Sequence, residues 1–467
     1  MIWRLDLQIV ELAYRFGVGW AAVTVVCLLV MFFARLSRAI VVGMAVLLVS
    51  LAWYHPLIAL SHILRWWVFG ILAVRGLLFV ASVRGERHGN ERPPWSLVAL
   101  GLFALVSCAW SDAPLFSLLI ACTFVCTLIL SYVVGWRLLD SEDFLPRLCV
   151  GALLVGVAMH VVGVAFGAMA LITRDFQLVH ETGVETRFCG VLSNANGNGV
   201  FGAMLWPIVL AAPRAYLGRF AFLRWPVLVC LAISIVFSGS RTAVGIALMS
   251  TVIVFLYRYR AGAVVATGAV FVIGAIALLA TPVEEIEGSA VDDVVLRSNT
   301  LSDVGGRLER WQRGWDVAME SPVFGHGWAA SRALDDQDTE QSLALGRVRY
   351  ATNLHSAHVS LLVDVGFVGL GLFWIFGAQT ILAGIRLLAA PRSPEAAVSM
   401  LFFASVLGML ADTFVHGGVL SAGSPNALIF WVSSAIVSKQ SQRLARSEPS
   451  GEPLADAPHA AFRPAFS

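Results

Sequence analysis

Charge is scarce in this sequence: only 13% of its 467 residues are Asp, Glu, Lys or Arg, about half the share found in soluble domains. Hydrophobic residues make up 58% and the mean hydropathy is +0.80, which excludes an ordinary water-soluble fold because so much apolar surface cannot be hidden. Lysine is nearly missing, with Lys439 the single one. The remaining basic residues are arginines, which suit two-pronged recognition of phosphate and which a GC-rich coding bias also produces. The formal net charge is only +2, so nothing in the balance points to a nucleic acid. Seven cysteines lie in or beside apolar stretches without the spacing of a disulfide or zinc framework. No metal or cofactor is expected. The first apolar stretch lacks the short core and small-residue cleavage site of a signal peptide, so it is expected to stay as a membrane helix.

Long apolar runs are what the chain has in place of charge. They occur near residues 17–34, 39–53, 66–83, 95–111, 115–136, 147–172, 196–213, 224–240, 241–257, 262–281, 356–386, 397–416 and 421–438. With the first three runs making two true crossings, the count is about twelve spans of a ~30 Å hydrocarbon layer. The expected fold class is therefore an all-α polytopic membrane protein with about twelve transmembrane helices and one large, partly helical external loop.

Arginine placement gives the orientation. The short connections carrying Arg84, Arg87 and Arg92, Arg137 and Arg147, Arg214, Arg219 and Arg224, Arg258 and Arg260, and Arg386 and Arg392 read as cytoplasmic, as does the tail with Lys439, Arg443 and Arg446. The connections at 112–114, 173–187, 238–241, 282–355 and 417–421 then face the periplasm. Four regions follow: N-terminal transmembrane helices over 1–281, the large loop over 282–355, C-terminal transmembrane helices over 356–438, and a disordered cytoplasmic tail over 439–467. The loop holds 13 acidic residues against 7 arginines. Within it Leu308, Trp311 and Trp315 recur at helical spacing before Pro322.

Several residues in the external connections can carry chemistry. His355, in Asn353-Leu354-His355-Ser356-Ala357-His358, stands where the loop re-enters the membrane. Near the positive end of a helix dipole its imidazole is held neutral, as a general base near pH 7 requires; an interfacial histidine that caps or packs is the plainer reading. A continuous helix from there puts Gly366 and Gly369 on the azimuth of His355. Arg241, in Ser238-Gly239-Ser240-Arg241, sits on the side opposite to the positive-inside trend. An arginine at a membrane boundary often serves only as a snorkelling anchor, and its place on that side adds weight to an anionic partner. Arg307 and Arg310 lie on the loop helix, where they either solvate one face or grip phosphate oxygens bidentately. Arg187, Asn194 and Asn196 stand before another helix start, suited to sugar hydroxyls or to capping. His326, in Gly325-His326-Gly327, is a further titrating group of open role.

Together these segments resemble the O-antigen ligase and polymerase superfamily, integral-membrane glycosyltransferases of the GT-C type. His355-Ser356, nine residues, Gly366, two residues and Gly369 match that family's histidine motif in full. Ser238-Gly239-Ser240-Arg241, Gly306-Arg307 with Trp311, Ser321 to Gly327, and Asn194-Ala195-Asn196 after Arg187 are looser matches, over roughly residues 95–438. His326 departs from the pattern, which has a small apolar residue there. The resemblance implies metal-independent, inverting transfer of a glycan from undecaprenyl pyrophosphate at the periplasmic face of a bacterial inner membrane. It implies His355 as the base that activates the acceptor hydroxyl and Arg241 and Arg307 as the pyrophosphate ligands. Within the superfamily, one dominant late loop and no added soluble domain favour the ligase, whose acceptor is lipid A-core. The polymerase and the protein O-oligosaccharyltransferase are the alternatives, and a lipid-linked-glycan flippase is the reading from another class.

Overall fold

A computed structural model describes residues 70–79, 92–141, 143–165, 179–182, 185–192, 195–258, 307–332, 354–389, 393–421 and 424–447, with a few isolated positions before residue 70. The described chain is helical apart from one short antiparallel ribbon. Its principal helices are α1 (Trp95–Ser107), α2 (Pro114–Tyr132), α3 (Phe144–Gly156), α4 (Ala195–Ala211), α5 (Arg224–Phe237), α6 (Arg241–Arg258), α7 (Arg307–Glu320), α8 (Ala357–Ala389), α9 (Pro394–Asp412) and α10 (Pro425–Ser447). The ribbon pairs β1 (Val179–Thr182) with β2 (Glu185–Phe188).

Five helical stretches are long and apolar enough to cross a membrane: Pro114–Tyr132, Phe144–Ala165, Arg214–Phe237, Ala357–Ala389 and Pro394–Asp412. Shorter apolar helices at Gly70–Phe79, Trp95–Trp110 and Arg241–Tyr257 accompany them. The expected runs near 17–34, 39–53 and 262–281 lie almost wholly outside the described residues, as do the two flanks of the large loop and residues 448–467. The expected start of the tail at 439 is corrected, because α10 continues to Ser447. Buried Lys439 donates to Asp140 at 2.7 Å and to the Trp136 carbonyl, and Arg443 joins the same carboxylate, so this end is tied down.

Outward faces are apolar, as lipid contact requires. On α1, Val98, Leu102 and Val106 recur every four residues and are all exposed. Inside, an aromatic cluster joins the helices: Trp431 of α10 meets Phe124 of α2 and Phe376 of α8, with centroids 5.8 and 5.1 Å apart. Trp328, from the large loop, adds itself to this cluster 4.7 Å from Phe124. The loop is thus rooted in the bundle core.

Register follows from two contacts. Ser250 of α6 donates to the Ala404 carbonyl of α9, and a Cβ on Gly408 would lie 2.5 Å from Ile246. Four residues back along α6 correspond to four residues forward along α9, so the helices are antiparallel, and the same register brings Arg241 level with Thr413. One end of the bundle therefore gathers the turn before Arg241, the end of α9, the start of α8 and the described part of the loop. The opposite end holds Arg92 with Gln442, and Asp140 with Lys439.

α8 is not one continuous helix. At Gly366 the backbone turns to φ 63°, ψ −165°, a region essentially reserved for glycine. The helical azimuth carried from His355 to Gly366 and Gly369 does not survive that break. A break inside a membrane helix frees backbone groups that must be satisfied by protein. The Pro322–Gly327 segment does this: His326 N–H donates to Val363 O (2.9 Å), Gly327 N–H to Asp364 O (2.8 Å), and Pro322 O and Val323 O accept from Phe367 (2.8 Å) and Val368 (3.2 Å). Gly325 makes the approach possible, since a Cβ there would lie 2.5 Å from the Asp364 backbone. The glycines of two separate sequence motifs thus form one interlock.

Candidate active site

The loop helix α7 lies across the start of α8. Gly314 permits this, because a Cβ on it would meet Val359 at 2.6 Å and Leu354 at 3.1 Å. Arg307, the first residue of α7, is consequently carried to the end of α9, where its guanidinium contacts His416 Nε2 at 3.4 Å. His416 in turn bonds Asp412 through Nδ1 at 2.7 Å. Asp412 is 3% exposed and ends α9, so a carboxylate sits at the negative pole of a helix, where an unsupported anion is disfavoured.

His355 is not in the first turn of α8. Ser356 is the N-cap, its Oγ accepting from Val359 N–H at 3.4 Å, and the helix begins at Ala357, whose N–H donates to the Thr413 carbonyl at 2.8 Å. His355 stands one residue earlier with φ 52°, in the left-handed region that side chains rarely adopt. Such strain persists only where surrounding structure holds it, and it concentrates at functional sites. Burial, then the positive charges of Arg307 and Arg310, then His416, push the His355 imidazole down to about 4. The ring is therefore neutral at pH 7. One turn on, His358 donates from Nδ1 to the Thr413 carbonyl at 3.2 Å and stacks on Phe414 at 4.2 Å; it is a packing histidine.

The remaining sequence-derived candidates divide. Arg241 begins α6 level with Thr413, at the same end as His355, and is exposed. Asn196 opens α4, whose Gly199 packs on Ser238 and Ala243, so it shares that end too. Arg310 is half-buried one turn beyond Arg307. Arg187 lies on β2 opposite His180, and Asn194 falls outside the described residues. His326 donates from Nε2 to the Val317 carbonyl at 2.9 Å, closing the last turn of α7. The pair Asp412 and His416 was missed by sequence reasoning. Its signal was there: an acid and a histidine four residues apart, ending an apolar run that should contain neither.

Arg307, Arg310 and His355 thus stand near one another at the end of the bundle that also holds Arg241. Residues 226–374 match the O-antigen ligase family. The match covers about a third of the chain and supports a place in the O-antigen ligase and polymerase superfamily. The match contains Arg241, Arg307, Arg310, His326 and His355, and ends before Asp412 and His416. No curated protein matches the chain.

Proposed function

We propose that this chain is an O-antigen ligase. It transfers a glycan from undecaprenyl pyrophosphate to a hydroxyl of lipid A-core at the periplasmic face of a bacterial inner membrane. The observation that carries the reading is the neutral His355 standing within the field of Arg307 and Arg310, inside the family-matched stretch. Positive-inside placement of arginines supports the sidedness.

In this reading His355 accepts the proton of the acceptor hydroxyl as its oxygen forms a bond to the anomeric carbon. The bond from that carbon to the diphosphate oxygen breaks on the opposite side, which inverts the configuration. The electron pair leaves with the diphosphate, and Arg307 and Arg241 neutralise the charge that develops there. Fixed donors aimed at developing charge are the largest single source of rate in such reactions. Arg310, Asn196, Arg187 and Asn194 supply further contacts to phosphate or sugar.

The test is reconstitution of the full-length protein in proteoliposomes with lipid-linked glycan and lipid A-core. Joined lipid A-core product supports the ligase. Longer lipid-linked chains formed without acceptor mark a polymerase, glycosylated protein marks an O-oligosaccharyltransferase, and translocation without covalent product marks a flippase. Any of the last three overturns the proposal. Thiol labelling of single cysteines near residues 112, 240 and 418 from the periplasmic side checks the orientation.

A further inference from the structure

We propose that His416, oriented by Asp412, is a positioning residue that holds the Arg307 guanidinium for the diphosphate; this rests on the functional reading above. A guanidinium only donates, so the His416 Nε2 that meets Arg307 at 3.4 Å acts through its lone pair. The proton of the ring is then on Nδ1, which points at Asp412 Oδ1, 2.7 Å away. Carboxylate, imidazole and guanidinium form a single-file chain in which Arg307 donates to His416 and His416 donates to Asp412. Asp412 fixes the tautomer, and the tautomer presents the lone pair to Arg307.

The backbone is shaped for this. After α9 ends, His416 N–H and Val415 N–H both donate to the Asp412 carbonyl, at 2.8 and 3.0 Å. The chain therefore folds back over its own last helical residue and returns the imidazole to the buried carboxylate. A carboxylate at this helix pole gains nothing from the dipole, so its presence calls for a partner, and His416 is that partner.

The chemistry explains why an imidazole suits the position. Through its Nε2 lone pair the ring fixes where the Arg307 guanidinium stands. The Asp412 carboxylate lies one ring away and orders the contact through His416.

The experiment measures binding of undecaprenyl diphosphate itself to the full-length protein in nanodiscs, alongside the transfer assay. His416→Leu should weaken binding about tenfold, the size expected for a lost hydrogen bond to a charged group. His416→Gln should recover most of it, because its amide oxygen accepts from Arg307 while its amide nitrogen donates to Asp412. Asp412→Asn should weaken binding like His416→Leu, because an amide stabilises the wrong tautomer. In an Arg307→Ala background, His416→Leu should change binding less than twofold. Independent losses that multiply in the double variant, or a Gln variant as damaged as Leu with its thermal stability unchanged, would overturn the proposal. Wild-type protein that binds undecaprenyl diphosphate but transfers nothing overturns the ligase reading alone, whereas wild-type protein that fails to bind it overturns both.

Discussion

The backbone of Val323 occupies the space where a Cβ on Gly366 would sit. The contact is between two main chains, so neither side has a flexible group that can move away. It joins the loop segment Pro322–Gly327 to the point where α8 is broken.

Replacing Gly366 by alanine should therefore destabilise the protein. The left-handed, extended conformation alone costs about 1–3 kcal/mol for a side chain, and the clash adds to it. Thermal unfolding in detergent should show a clear drop for Gly366→Ala. Gly371→Ala, on the same helix with nothing within 4 Å of the added Cβ, should stay within about 0.5 kcal/mol of wild type.

His355→Asn separates backbone conformation from chemistry. Asparagine tolerates the left-handed region, so the variant should insert and unfold like wild type. It has no basic nitrogen, and transfer should fall by about 10²–10⁴-fold, the usual contribution of a general base. Near-normal turnover would mean that another group deprotonates the acceptor.

The pH profile should carry the imprint of the arginines. With the free-enzyme imidazole pushed down to about 4 by burial and by Arg307 and Arg310, the acid limb of kcat/KM should lie well below the usual histidine range. A bound diphosphate cancels the arginine charges while burial remains, so the limb of kcat should lie higher. For stability the sign is the same: the unfolded ring binds its proton near 6.5 and the folded one near 4. Stability is therefore complete above the higher value and drains as pH falls through the window between them. Coincident limbs for kcat and kcat/KM would contradict the coupling.

Arg307→Ala and Arg241→Ala should each lower kcat by about 10²–10³-fold, as loss of a donor to a developing anion does. Lysine at either position should restore only part of this, because a point charge lacks the two-pronged fork. Steady-state transfer kinetics on purified variants decide it, and full activity of both alanine variants would remove these residues from the site.

The helices from residue 95 to 258 and from 357 to 438 were legible because hydrophobic runs are long-range averages that single residues barely disturb. Residue 439 as the start of a tail failed for the same reason in reverse: one buried lysine and a few arginines lower the average, although Asp140 pairs with Lys439 and Arg443. The break at Gly366 was invisible to hydropathy because both halves of α8 are equally apolar, and a glycine reads alike whether it permits packing or a positive φ. Arg307 and His355 stood out by their exceptional surroundings. Asp412 and His416 did not, being absorbed into the end of an apolar run, and their meaning emerged only when α7 was seen to carry Arg307 to them.

The solitary lysine, sunk against Asp140 and the Trp136 carbonyl, leaves the folded molecule without an exposed side-chain amine for acylating reagents. No other side-chain amine competes for such a reagent anywhere along the 467 residues. Acylation at Lys439 is therefore a clean clock for the loosening of that pole, readable by mass spectrometry without any engineered label.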